Sequence, residues 1–195
     1  MNDIQKFDIN YVDDDAFIII IGSSKSDIAK KILENKKNIM EGGYIFSWAE
    51  GYDNGNGNCK IEIYKTPTDD IIDAIVDKVL IEKKKTFMLI DNSCTDVKSK
   101  CMYNIYYNNR HLRMMCILAI QYNIIGNFIM KHAKYVFLCN CRSMKENGEI
   151  KEIWRTLCEN FIGFNNFLEL VDKYIFGNEC GYLVIDYNDK KIWWL

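Results

Sequence analysis

Lys25 and Ser26 follow directly on the apolar run Ala16–Ile21 and Gly22, and these are residue types that can hold a phosphate. In that role the lysine ammonium meets phosphate oxygens, the serine hydroxyl meets a divalent cation, and loop glycines let the backbone turn its N–H groups inward. The full pattern is G-x-x-x-x-G-K-[ST]. Here Ser24 precedes Lys25, and the nearest glycine, Gly22, stands three residues before the lysine instead of six. Either the loop is three residues short, or Ile19 occupies the place of its first glycine. Asp91 closes a second apolar run, Thr86–Ile90, as in a Walker B strand, whose terminal carboxylate holds the Mg²⁺ of a nucleotide directly or through water. Gln121 closes a third run that starts at Met114, and an amide at a buried strand end is costly without a partner. Arg110 and His111, just upstream, read either as a solvated turn at a helix end or as groups that act on a ligand. Cys139 and Cys141 with His132 could be imagined around a metal, but i, i+2 alternation is what a strand produces, and the structural reading is preferred.

For these residues to act together, the elements before them must run in parallel to one edge. Ala16–Ile21 reads as a central strand buried on both faces, and Lys25–Lys36 as a helix with Ile28, Ala29, Ile32 and Leu33 on one side. Tyr44–Trp48 and Cys59–Tyr64 are strand candidates around the loop "AEGYDNGNGN". Pro67 precedes a helix with the stripe Ile71, Ile72, Ile75, Val76, Val79 and Leu80. Thr86–Ile90, Met114–Tyr122 and Tyr135–Cys139 read as strands, with helices around Met102–Tyr107, Glu149–Phe161 and Asn165–Ile175. The tail "GYLVIDYNDKKIWWL" reads as an edge hairpin. Alternating β and α units predict an α/β chain of three layers, a mainly parallel central sheet and a C-terminal edge hairpin, in a single domain over residues 1–195. Ligands of such sheets bind at the carboxyl ends of the strands, near the topological switch point.

At 195 residues the chain can bury a full core without staples. A net charge of −2 carries no global basic signature, so nucleic acid would have to meet a local patch or an oligomer's pore. Eight cysteines without a C-x-x-C pair read as reduced, core-packed thiols rather than a disulfide frame. The N-terminal "MNDIQKFDIN" lacks the pattern of a secretory signal, and no run approaches the ~20 apolar residues of a membrane span. The expectation is a soluble, intracellular protein that is not secreted.

The blocks "FMLIDNSCTD", "YYNNRHLRMMCILAIQY" and "KYVFLCNC", with the tail "FIGFNNFLELVDKY" and "ECGYLVIDYNDKKIWWL", resemble the FtsK/HerA-like DNA-packaging ATPases of poxviruses, mimivirus-like viruses and other nucleocytoplasmic large DNA viruses. The resemblance runs from about Phe17 to Leu195. It implies a P-loop NTPase fold of the RecA/FtsK type, with ATP and Mg²⁺ as cofactors. Gly22, Ser24, Lys25 and Ser26 would bind nucleotide, Asp91 and Ser26 the metal, and Asn92, Gln121 and Arg110 would take catalytic places. It also implies a homo- or hetero-oligomer with packaging ATPase subunits, DNA as a partner, and residence in the cytoplasm of an infected host cell or in the virion. Against that pattern Ser24 replaces a glycine, Asn92 the second, water-activating acid, Asn109 a turn glycine and Met130 an arginine. Such departures imply a degenerate, regulatory or non-motor paralogue with little ATP turnover. Two alternatives stay open: a working packaging ATPase with a variant loop, and an interaction protein that binds no nucleotide.

Overall fold

The computed structural model describes residues 4–48, 52, 59–91, 100–121, 127–139, 148–177 and 181–195. Its strands are β1 Phe17–Gly22, β2 Gly42–Ser47, β3 Lys60–Tyr64, β4 Thr86–Asp91, β5 Met114–Ile120, β6 Tyr135–Cys139, β7 Tyr182–Asp186 and β8 Lys191–Trp194. The helices are α1 Lys25–Lys36, α2 Asp69–Glu82, α3 Lys100–Asn108, α4 Asn127–His132, α5 Glu149–Leu157 and α6 Phe164–Val171, the last running on into a wide π-type turn, Asp172–Phe176. The strands form one eight-stranded sheet in the order β3-β2-β4-β5-β1-β6-β7-β8. Pairing is parallel from β3 through β6, and only the C-terminal β7 and β8 run antiparallel. This is the expected mainly parallel sheet with an edge hairpin.

β1 lies between β5 and β6, with Ile21 in register with Ile120 on one side and Leu138 on the other. Four isoleucines in a row suit that position because both faces of a central parallel strand are covered. Ile18 and Ile20 pack under α1 with Ile28, Ala29 and Ile32. Phe17, Ile19 and Ile21 face the opposite layer, which α2, α3, α5 and α6 build with Ile72, Ile105, Ile153 and Phe167 among others. Phe17 also stacks on Tyr106 of α3, centroids 4.8 Å apart. Three layers result.

Several boundaries moved from the sequence reading. The stripe of α2 buries Ile72, Ile75 and Val79, whereas Leu80 is 52% exposed, because one residue on from Val79 the side chain is turned about 100° around the helix. Helix α4 was not expected, its six residues being too few to show a helical period. Cys59, Cys116, Cys139 and Cys158 are free, buried thiols. Burial pushes Cys139 up to about 12, and its Sγ–H donates to the Ile21 carbonyl at 3.2 Å. His132 is exposed and meets the Tyr107 ring edge-on, while Cys141 lies outside the described residues. Among the described residues no His, Cys, Asp and Glu cluster could hold a metal, and no helix is long and apolar enough to cross a membrane.

The amino edge of the sheet is held by ion pairs on Asp14, which accepts from Lys85 at 2.9 Å and from Lys36 at 3.0 Å. The hydrogen bond from Lys85, opposed by burial and helped by the hydrogen bond from Lys36, holds the Asp14 carboxyl below its ordinary range. A folded-state value below the unfolded one means that this stabilisation is present above the unfolded carboxylate value, about 3.9, and is lost as pH falls through the folded one. Asp14→Asn should therefore lower stability at neutral pH, and the gap from the parent chain should close in acid unfolding curves taken below about pH 4. A gap that stays constant down to pH 2 would show that the ion pairs carry no such linkage.

Candidate functional site

The strand order places the carboxyl ends of β4, β5 and β1 side by side, so Asp91, Gln121 and the β1–α1 turn share one edge. The β1–α1 turn is short. Ile19, Ile20 and Ile21 are paired on both sides within the sheet, so Ile19 is not a loop position, and only Ser23 and Ser24 separate Gly22 from the first residue of α1, Lys25. Ile19 is thus a strand residue and not part of the turn. Ser24 adopts φ −96° and ψ 25°, a backbone any residue reaches, so a serine in place of a glycine costs nothing there. Gly22 is where glycine is required, with φ +129°, and a Cβ on it would lie 1.5 Å from the Cys139 carbonyl oxygen.

Two buried charges face this edge. Lys25 is 5% exposed and its Nζ donates to the Gly22 carbonyl at 3.3 Å. Asp91 is fully buried and accepts from Ser26 Oγ at 3.0 Å on Oδ1 and from the Tyr52 hydroxyl at 2.6 Å on Oδ2. Neither has a partner of opposite charge within 4 Å among the described residues. A buried charge without a counter-charge is expensive, so the site is electrostatically incomplete, as a site for a phosphate beside Lys25 and a cation beside Asp91 would be. A hydroxyl and a carboxylate 3.0 Å apart are hard oxygen donors of the kind Mg²⁺ takes.

The other candidate residues divide. Gln121 is exposed, one residue past the buried end of β5, so the argument from a buried amide does not hold, although the residue does sit on the site's edge. Arg110 is not at this edge. It lines, with Arg113, Asp13, Asp15, Lys36 and Lys85, a cavity of about 650 Å³ at the amino ends of β1, β4 and β5. The seven residues of β5 span roughly 23 Å at 3.3 Å each, which keeps the Arg110 guanidinium from the Asp91 carboxylate of its own chain. Asn109 needs no glycine backbone either: it is buried, its φ is not positive, and its Nδ2 donates to the Asp15 carbonyl, tying the α3–β5 turn to the entry of β1. Met130 is a fully buried core residue on α4. Asn92 lies outside the described residues. The sequence reading missed Tyr52. The available signal was a lone aromatic among the glycines, asparagines and aspartates that follow β2 at the sheet's carboxyl edge.

This architecture is a P-loop NTPase-like fold. No family model and no curated protein sequence matches the chain. Among solved structures it is similar to the genome packaging NTPase B204 from Sulfolobus turreted icosahedral virus 2. The AMP complex gives a TM-score of 0.67 at 17% identity, covering 94% of this chain and 98% of that one. The AMPPCP complex gives 0.66 at 19%, covering 93% and 97%. B204 from Sulfolobus turreted icosahedral virus, described as its DNA-packaging ATPase, gives 0.64 at 16%, covering 92% and 96%. At these identities the likeness establishes the fold.

Proposed function

We propose that the chain is a genome-packaging ATPase-like protein that binds ATP at the β1–β5–β4 edge but turns it over slowly, as a regulatory or non-motor paralogue. The observation that carries this is the pair of buried groups Lys25 and Asp91, without an ion-pair partner among the described residues, at the carboxyl edge of a fold shared with a packaging NTPase that binds AMP and AMPPCP. Lys25 would meet phosphate, and Ser26 and Asp91 would hold Mg²⁺. That ion would supply positive charge to offset the charge that develops on the phosphate. Low turnover is supported by the two-residue turn, which offers few backbone N–H groups, and by Asn92, an amide that cannot take a proton from water. Gln121, at the same edge, would orient a ligand. Arg110, on the far edge, could reach a nucleotide only on a neighbouring copy, which fits an oligomer with itself or with packaging subunits acting on DNA, in an infected cell or virion.

Calorimetry with ATP, with and without Mg²⁺, paired with a sensitive phosphate-release assay, tests the proposal. Binding that Asp91→Ala weakens in the presence of Mg²⁺, with release at or near background, is the expected result. Release at rates ordinary for an ATPase favours a working motor with a variant loop. No binding in either condition favours an interaction protein that uses the fold alone.

A further inference from the structure

The oxygens of Asp91 are taken by two hydroxyls of different origin. Ser26 belongs to the motif and donates to Oδ1, whereas Tyr52, from the segment after β2, donates to Oδ2 at 2.6 Å. Hydrogen bonds to an ionised acceptor are shorter and stronger than neutral ones, and this one lies at the short end of their range. The Tyr52 ring is also held from the side, with Lys30 Nζ 5.0 Å from its centroid. Ser26 and Lys30 are one turn apart on α1, so a single helix face supports both the carboxylate's other partner and the ring.

A phenol proton on Oδ2 takes one of that oxygen's lone pairs and draws off charge that a cation, or the inner-shell water of one, would otherwise use. Resting on the nucleotide reading above, we propose that Tyr52 is a positioning residue that latches the Asp91 carboxylate, so that a divalent cation binds there more weakly while the phenol donates. The latch keeps the buried carboxylate solvated by protein hydroxyls while no cation is present, and it sets the cation concentration at which the site loads.

Direct binding of Mn²⁺ alone, read by electron paramagnetic resonance on the full chain, tests this without nucleotide or turnover. Tyr52→Phe keeps the ring and its contact with Lys30 and removes only the donor. It should bind Mn²⁺ about tenfold more tightly than the parent, the size expected for releasing one hydrogen bond to a charged acceptor. Asp91→Asn should lose binding in both backgrounds, which assigns the ion to this carboxylate. Equal or weaker Mn²⁺ binding by Tyr52→Phe overturns the latch, as does failure of both chains to bind Mn²⁺ with or without ATP. ATP titrated without metal separates the two ideas. A tighter Mn²⁺ site in a chain that binds no ATP retains the latch and removes the proposed function, whereas ATP binding with unchanged Mn²⁺ affinity does the reverse.

Discussion

Gly22→Ala should leave the protein largely unfolded at room temperature, or lower its stability by about 4 kcal/mol or more. Two costs add at this position: a backbone at φ +129° that a side chain rarely adopts, and a Cβ placed 1.5 Å from the Cys139 carbonyl oxygen. The clash has no cheap escape. Cys139 is the register partner of Gly22 on β6, and β6 is itself clamped between β1 and β7, so the oxygen moves only if the centre of the sheet moves. Against a total stability of 5–15 kcal/mol, a loss of this size is decisive. Gly42→Ala is the control. A Cβ there would sit 3.6 Å from both the Lys60 oxygen and the Thr86 methyl, an ordinary contact, and its cost should stay within about 1 kcal/mol. Urea midpoints for the two variants give the comparison, and a Gly22→Ala midpoint close to that of Gly42→Ala would show that the turn is built differently.

The second large effect is a gain. Inserting three residues between Gly22 and Lys25, the last of them glycine, restores the full phosphate-loop spacing while leaving Gly22 in place, and Asn92→Glu restores an acid beside Asp91. The combined variant should bind ATP with Mg²⁺ and hydrolyse it at least about 100-fold faster than the parent, since a general base alone is commonly worth 10²- to 10⁴-fold. Each change alone should do little, because groups that act on one transition state as a unit do not contribute additively. Adding Asp91→Ala should abolish the gained turnover, since its carboxylate is the buried anion of the site. A parent chain that already hydrolyses briskly refutes slow turnover, and a folded repaired chain without nucleotide affinity points to the interaction protein.

Most of the strands were legible because burial leaves a short-range trace. "FIIII" can be nothing but a strand covered on both faces, and "TFMLID" and "MMCILAI" carry the same mark, so β1, β4 and β5 fall within a residue or two of their expected ends. The β–α alternation around them dictated a parallel sheet, and hence one shared carboxyl edge for Lys25, Ser26 and Asp91. Where periodicity was short or absent, at α4 and in the last turn of α2, the pattern could not separate a buried turn from an exposed one.

By itself, then, the sequence determined an α/β chain of three layers and the residues at its strand ends, since these depend on neighbours within a few positions. Four features were decided only by the tertiary structure. The order β4-β5-β1 put Asp91 and Ser26 within hydrogen-bonding distance across 65 residues of chain. The pairing of Ile19 to Ile21 on both sides made the β1–α1 turn short. The direction of β5 sent Arg110 to the amino edge, away from the site it was expected to serve. The contact of Tyr52 with Asp91 joins positions 39 residues apart in the chain. Each depends on which residues far apart in the chain come to lie side by side. Those choices are made by packing energy between residues far apart in sequence, and such pairings leave no periodic signature along the chain.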